Sequence, residues 1–221
     1  MSSASAVLGK LRAERIVALI RADSPANLLD CAKALSAGGL NCIELTMTTH
    51  GAVEMTDKVS REMPDALLGL GTVLDAEAAR AGIAAGARFI VTPAVRPEVI
   101  SACRDAGVPV ICGALTPTEI LAAWELGADV VKIFPAEFFG PAYIRSIKAP
   151  FPQIELMPTG GVTPETLSDF LRAGAIAAAA GSALVSAAAL KSGDWAEITA
   201  RALLFVAAAK AAHQSNAVKT A

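Results

Sequence analysis

The chain is poor in metal-binding residues and lacks the motifs of common cofactors. It has two histidines and four cysteines among 221 residues, with neither a C-x-x-C pair nor an H-E-x-x-H motif. Zinc sites use such closely spaced ligands, so we expect no metal. The stretch GLGTVLD has Leu74 where a dinucleotide fingerprint requires glycine. A G-x-S-x-G motif is also missing, which argues against a serine hydrolase. The sequence therefore predicts neither a metal nor an organic cofactor.

Charge and long hydrophobic runs are scarce as well. Charged residues make up 18% of the chain, and the formal net charge is −2, with no Lys/Arg-rich run. A nucleic-acid partner is therefore not expected. Glycine, proline or charge interrupts each apolar run before the roughly 18–20 residues that a membrane-spanning helix needs. The start, MSSASAVLGKLRAER, does not resemble a secretory signal. We expect a cytoplasmic protein without a membrane partner.

The four cysteines are Cys31, Cys42, Cys103 and Cys112. Two of them, Cys42 and Cys112, fall in strand-like apolar runs. Free cysteine behaves as a small hydrophobic residue. We therefore expect four buried thiols in a reducing compartment, and no disulfide or zinc framework.

A glycine between a helical stretch and an apolar strand recurs along the chain. The junctions are SAGGLNCIEL, AAGARFIV, DAGVPVIC, ELGADVVKIF and RAGAIAAAA, and their glycines are Gly39, Gly86, Gly107, Gly127 and Gly174. Glycine just past a helix end supplies a left-handed cap. If the two long gaps hold two units each, the period is about 22 residues, which suits a repeated strand, loop and helix.

Eight strand candidates follow this period. They cover residues 15–21, 42–47, 67–73, 89–94, 108–115, 130–136, 154–161 and 175–184. Helical stretches separate them; the first has Ser24 as its N-cap and Pro25 at its first helical position. The pattern predicts a (β/α)8 TIM barrel with an extra N-terminal helix, built as one domain over residues 1–221. A doubly wound open sheet stays an alternative, because the pattern does not show closure.

Two charged residues lie within apolar strand candidates. In CIELTMTTH, Glu44 shares a face with Thr46 and Thr48; in VVKIFPA, Lys132 shares a face with Phe134. Strand alternation sends both faces into the barrel, where an unpaired charge is costly. A snorkelling lysine or a buried Glu44–Lys132 ion pair would be structural explanations. Polar residues at nearby strand ends, namely Thr72, Thr92 and Thr159, favour a functional site instead.

The last two strand candidates end in glycine. PTGGVTPETL and AGSALV place Gly160, Gly161, Gly181 and Ser182 where the chain leaves strands 7 and 8. Barrels often bind phosphate at this position through backbone N–H groups. Ordinary turn glycines are the alternative explanation.

A buried lysine and a buried glutamate permit a particular chemistry. Burial favours the neutral amine of a lysine, which can attack a carbonyl and form a Schiff base. Cleavage of a bond β to the imine carbon also needs a proton carrier, and Glu44 is the obvious inward carboxylate.

In these motifs the sequence resembles the class I 2-keto-3-deoxy-6-phosphogluconate (KDPG) aldolases and their 4-hydroxy-2-oxoglutarate (KHG) aldolase relatives. IELT, GTVLD, VTPA, VKIFPAE, PTGGV and GSALV occur in order over about residues 10–205. The resemblance implies that Lys132 forms the Schiff base and that Glu44 is the general acid/base. It implies substrate-binding roles for Thr72, Pro93, Phe134, Thr159, Gly160, Gly161 and Ser182. It also implies a homotrimer and a place in carbohydrate metabolism, in the Entner–Doudoroff pathway.

One position departs from the family pattern. Many members have arginine four residues after the glutamate, where it binds the substrate carboxylate, whereas this chain has Thr48. Arg21, at the end of the first strand candidate, is our candidate replacement, and a solvated rim arginine is the alternative. The expected reaction is cleavage of KDPG to pyruvate and glyceraldehyde 3-phosphate. The galactonate epimer and KHG are alternative substrates; a phosphosugar isomerase or epimerase, or a non-catalytic phosphosugar-binding barrel, are alternative functions.

Overall fold

A computed structural model describes residues 3–217, with side chains described for residues 4–212. The strands are β1 (Ile16–Ile20), β2 (Cys42–Thr46), β3 (Leu67–Gly71), β4 (Phe89–Val91), β5 (Val110–Ala114), β6 (Val130–Ile133), β7 (Leu156–Pro158) and β8 (Ala178–Ala180). The helices are α1 (Ser3–Glu14), α2 (Leu28–Ala37), α3 (Ala52–Glu62), α4 (Ala76–Ala84), α5 (Pro97–Asp105), α6 (Pro117–Glu125), α7 (Gly140–Lys148), α8 (Pro164–Arg172), α9 (Ala187–Ser192) and α10 (Trp195–Ala217).

The eight strands form one parallel sheet that closes on itself. Hydrogen-bonded neighbours run in the order β7, β6, β5, β4, β3, β2, β1, β8. An isolated parallel bridge between Thr159 and Ala179 joins the two ends. This closure confirms the predicted (β/α)8 barrel and excludes the doubly wound sheet. The predicted extra N-terminal helix is α1. The single-domain prediction stays a prediction.

Strand alternation divides the core into two layers. One cluster, here called the interior cluster, contains Val17, Cys42, Val91 and Val130 from the strands. Strand residues of the opposite parity, such as Ile43, pack in a larger cluster with the helices. The interior cluster also contains the α1 residues Val7 and Leu11. The extra helix therefore closes the end of the barrel from which the strands begin, and the other end forms the mouth.

The predicted helix caps are confirmed. All five junction glycines have left-handed backbones, with φ between 65° at Gly107 and 110° at Gly174. The first helix start differs slightly from the prediction. Ser24 accepts a hydrogen bond from the Ala26 N–H, but Pro25 begins a short 3-10 turn and α2 follows only at Leu28.

The four cysteines are free and buried, as predicted. Their burial raises the pKa of each thiol, to about 12 for Cys31 and Cys103, which suits inert packing residues. Over the described residues, no helix has the length and apolar character to cross a membrane. The cytoplasmic location stays a prediction.

Candidate active site

The two buried charged residues both enter the mouth of the barrel. Glu44 lies two residues after Cys42 on β2, and Lys132 lies two residues after Val130 on β6. Because Cys42 and Val130 belong to the interior cluster, alternation places Glu44 and Lys132 on the same inner surface. Glu44 is 0% exposed and Lys132 is 4% exposed. The predicted inward orientation of both side chains is confirmed.

Lys132 lies beside glycine, methionine and phenylalanine in the mouth. Its neighbours in the sheet are Gly113 on β5 and Met157 on β7. Its Nζ lies 5.2 Å from the ring centroid of Phe134, within the range of a cation–π contact. A Cβ at Gly113 would lie 2.3 Å from the carbonyl carbon of Pro93. The missing side chain at residue 113 therefore lets the Pro93 peptide approach the wall beside Lys132.

Glu44 is fully buried and lacks a hydrogen-bond partner for either carboxylate oxygen. The residues thus do not form the Glu44–Lys132 hydrogen-bonded ion pair that a structural explanation required. A buried carboxyl without a protein partner is costly, and it is satisfied by a proton or by a bound polar group. Lys132 lies on the same inner surface as this unpartnered carboxyl.

The Glu44 carboxyl titrates differently from an exposed glutamate. Burial raises its pKa above the ordinary value of 4.5, while the positive charges of Lys132 and Arg21 oppose part of that rise. A glutamate with a raised pKa holds a proton more readily than an exposed glutamate does, which is what a proton carrier requires. The arrangement suits a general acid/base.

Arg21 and Thr48 lie at the edge of the mouth and are both exposed. Arg21 follows β1 at the parity of Val17 and Leu19, which favours an inward orientation. Its positive charge lowers the pKa of Glu44 and so opposes the effect of burial. The Thr48 hydroxyl lies 2.9 Å from the Thr46 hydroxyl.

The Thr48 hydroxyl is already in a hydrogen bond within the turn. Thr46 Oγ1 donates to the carbonyl of Ile20 at 3.3 Å, and either hydroxyl can be the donor in the 2.9 Å contact between Thr46 and Thr48. A threonine hydroxyl has one hydrogen to donate. Thr48 can therefore offer a carboxylate at most one hydrogen bond, whereas arginine can offer two.

The β3 and β4 sides of the mouth carry Thr72 and Pro93, both half-buried. Thr72 has a left-handed backbone, with φ of 58°, a conformation that costs energy in a non-glycine residue. Thr48 and Thr72 line a shared groove of about 210 Å³. Thr92, in contrast, uses its hydroxyl internally, donating to Ala94 O at 2.7 Å and accepting from Gly113 N at 3.1 Å.

The predicted phosphate residues come together where β7 and β8 end. Gly160 and Gly161 have φ of 100° and 67°, and the bridge between Thr159 and Ala179 holds the two exits side by side. Within the described residues, no backbone acceptor takes the N–H groups of Gly160, Gly161, Gly181 or Ser182. The hydroxyl of Thr159 is buried without a partner. Backbone N–H groups with no internal acceptor are what an anion site requires.

Sequence reasoning missed three contributors to this mouth. Gly71 packs against Glu44, Gly113 makes room for Pro93, and Thr49, which is 2% exposed, accepts a hydrogen bond from Ala22 N. Each contact joins residues from different strand–helix units. For the two glycines, the sequence signal was their inward strand position, where a core residue is expected; Thr49 had no such signal.

Known proteins resemble this chain in architecture and in sequence. A family model described as KDPG and KHG aldolase matches residues 7–201. The 2-dehydro-3-deoxy-phosphogluconate aldolase of Pseudomonas aeruginosa is 37% identical over 188 residues, covering 85% of this chain and 86% of that protein.

Two solved structures extend the likeness to three dimensions. A structure described as native KDPGal has a TM-score of 0.84 and 33% identity, covering 90% of this chain and 96% of that one. A KDPG aldolase from Legionella pneumophila, with pyruvate captured as a covalent carbinolamine, has a TM-score of 0.82 and 27% identity, covering 92% and 97%. With a family match over most of its length and a relative of this identity, the chain belongs to the KDPG and KHG aldolase family.

Proposed function

We propose that the chain is a metal-independent class I aldolase in which Lys132 forms an imine with a 2-keto acid. The observation that carries this proposal is the pairing of two buried groups in one barrel mouth. Lys132 and Glu44 are 4% and 0% exposed, and neither Glu44 oxygen is hydrogen-bonded by the protein. A structural ion pair would satisfy those oxygens, whereas a catalytic acid/base must be free to meet the substrate.

The chemistry begins with attack of the neutral Lys132 amine on the C2 carbonyl of the substrate. Loss of water from the carbinolamine gives a protonated imine. Glu44 takes the proton of the C4 hydroxyl, the C3–C4 bond breaks, and its electron pair moves into the imine to form an enamine. The aldehyde leaves, C3 of the enamine takes up a proton, and hydrolysis of the imine releases pyruvate and restores the lysine. The Legionella relative, captured with pyruvate as a covalent carbinolamine, supports covalent attachment of the 2-keto acid.

Arg21 is the proposed partner of the substrate carboxylate. It follows β1 at the parity of Val17 and Leu19, which favours an inward orientation, and arginine can offer a carboxylate two parallel hydrogen bonds. Thr48 is less suited to that role, since its hydroxyl has one hydrogen to donate and already contacts the Thr46 hydroxyl at 2.9 Å. Thr72 and Pro93 complete the pyruvyl end, and Phe134 packs beside the imine.

The far end of the substrate carries a phosphate in this proposal. The N–H groups of Gly160, Gly161, Gly181 and Ser182 have no internal backbone acceptor, and two strand exits present them together. The proposed substrate is therefore KDPG, which is cleaved to pyruvate and glyceraldehyde 3-phosphate. The buried, unpartnered Thr159 hydroxyl lies between the imine and this cradle and is suited to orient the aldehyde.

The galactonate epimer differs from KDPG at one hydroxyl, and the 33% identity to the structure described as native KDPGal keeps it as the second candidate substrate. KHG lacks a phosphate and would leave the glycine cradle unused. A phosphosugar isomerase or epimerase would need Glu44 but no imine at Lys132.

A homotrimer is proposed from the resemblance to the family. Phe138 and Phe139, in the turn after β6, are 76% and 46% exposed, and exposed apolar side chains of this size are common where subunits meet. Light scattering after gel filtration tests the trimer.

Borohydride trapping tests the imine. Incubation with pyruvate and borohydride should add one reduced pyruvyl group, and peptide mapping should place it on Lys132. Lys132→Met should abolish the addition, whereas Lys33→Met, on the exposed surface of α2, should retain it. Trapping and turnover should also survive EDTA. An enzyme that turns over without any adduct on Lys132 would refute the proposal.

A further inference from the structure

Two buried threonines hold the backbone on both sides of Arg21. Thr46 Oγ1 donates to the carbonyl of Ile20 at 3.3 Å. The Ala22 N–H donates to Thr49 Oγ1 at 3.1 Å. Ile20 and Ala22 are the neighbours of Arg21 in sequence, so a hydroxyl fixes the peptide group on each side of it.

The two threonines act from one rigid turn. Thr49 N donates to Thr46 O at 2.9 Å, which closes a turn over residues 46–49. Thr46 and Thr49 are 0% and 2% exposed. A buried hydroxyl without a partner is costly, which favours the bond of Thr49 with Ala22, just after β1, and that of Thr46 with Ile20, the last residue of β1.

Arg21 needs such support because the sheet does not provide it. The last residue of β1 paired with β2 is Ile20, opposite Leu45. Arg21 comes one residue later and its side chain is exposed. Ordering a long, exposed arginine has a large entropic cost, and a fixed backbone lowers the part of that cost which is due to the main chain.

We propose that Thr46 and Thr49 are positioning residues that aim Arg21 at the substrate carboxylate. In many relatives the segment after β2 carries the carboxylate-binding arginine. In this chain the same segment is hydrogen-bonded to the backbone on both sides of Arg21, which follows the neighbouring strand β1. The inference rests on the proposed function, in which Arg21 binds the carboxylate. Thr48 joins the arrangement through the 2.9 Å contact of its hydroxyl with that of Thr46.

The test measures the pyruvate concentration that gives half-maximal borohydride trapping on Lys132. Thr49→Val keeps the shape of the side chain and removes the hydroxyl, and it should raise this concentration by about three- to tenfold, the scale of one hydrogen bond. Thr46→Val should do the same. Thr49→Ser, which keeps the hydroxyl, should restore binding. At saturating substrate, kcat should change less than KM, because the arginine acts in binding.

Thr56→Val is the matched control. Thr56 is also 0% exposed, but its hydroxyl bonds to Ala52 O within α3 at 2.8 Å. Thr56→Val should lower thermal stability by a similar amount without changing the pyruvate concentration that gives half-maximal trapping. Thermal unfolding of every variant shows that the comparison is made between folded proteins.

A double-mutant cycle decides whether the threonines act through Arg21. In an Arg21→Ala background, Thr49→Val should weaken pyruvate trapping no further. An undiminished effect of Thr49→Val in that background would overturn the inference, since the hydroxyl would then act independently of the arginine. If Arg21→Ala itself left pyruvate trapping unchanged, the carboxylate assignment in the proposed function would fail, while the adduct on Lys132 would still report the imine.

Discussion

The carboxyl group of Glu44 occupies the space in which a side chain at residue 71 would stand. A Cβ built on Gly71 would lie 1.8 Å from Glu44 Oε1 and 2.4 Å from its Cδ. Residue 71 lies at the end of β3, paired with Thr46 at the end of β2. The position of the proposed acid/base is therefore set by an absent side chain on the adjacent strand.

Gly71→Ala should remove most of the activity because it displaces the Glu44 carboxyl. It should also destabilise the fold by about 1–3 kcal/mol, the usual cost of overpacking. Gly9→Ala is the control, since Gly9 lies in α1 with nothing within 4 Å of the added Cβ. Urea unfolding and pyruvate release measure the two effects.

A second variant separates the clash from a general weakening of β3. Glu44→Ala removes the atoms that the new methyl group meets. In that background Gly71→Ala should cost little additional stability. Equal destabilisation in both backgrounds would show that the clash with Glu44 is not the reason why alanine destabilises the protein at residue 71.

Glu44→Gln should lower turnover by about 10²–10⁴-fold, the usual scale for loss of a general acid/base. Borohydride trapping of pyruvate on Lys132 should survive in part, because attack by the amine needs only the lysine. Steady-state assays and trapping on the same preparation measure both. Full activity in Glu44→Gln would mean that the carboxyl has no role in proton transfer.

The same variant should alter how stability depends on pH. Burial raises the Glu44 pKa above 4.5, and the charged groups facing it, Lys132 and Arg21, offset the rise only in part. A carboxyl whose pKa is raised by folding contributes stability that is present below the unfolded value and is lost as pH rises through the folded value. Glu44→Gln should therefore match the wild type near about pH 4 and exceed it near about pH 7. Urea unfolding at both pH values tests the sign, and a less stable variant at neutral pH would contradict it.

Gly181→Ala should weaken binding of the phosphorylated substrate without disturbing the fold. An added Cβ would lie 3.7 Å from Leu19 Cδ2, an ordinary contact, whereas one at Gly161 would lie 2.5 Å from Glu137 Cβ. Residue 181 is thus the cleaner probe of the cradle. The methyl group should raise KM for KDPG by about ten- to hundredfold, the scale of a hydrogen bond to a charged group. The substrate without phosphate should be affected less; equal losses would argue against the cradle and favour KHG.

Local patterns predicted the main features of the fold and the site. A period of about 22 residues, with a glycine after each helix, predicted eight strands, and the strand alternation predicted that Glu44 and Lys132 point inward. These features depend on backbone geometry and on neighbours one or two positions away, so a single sequence contains them. The sequence also suggested Arg21 as a replacement for the arginine missing at Thr48, but not the hydrogen bonds of Thr46 and Thr49 to the residues on either side of Arg21.

Tertiary structure alone decided which residues meet across the mouth. The Thr159–Ala179 bridge closes the barrel, the Glu44 carboxyl packs over Gly71, and Thr49 holds Ala22 from 27 positions away. It also showed that the hydroxyl of Thr92, which the sequence placed at the rim, donates to Ala94 O and accepts from Gly113 N. Alternation determines the side of a strand on which a residue lies, but strand register and barrel closure determine its partner, because they bring together units that are far apart along the chain.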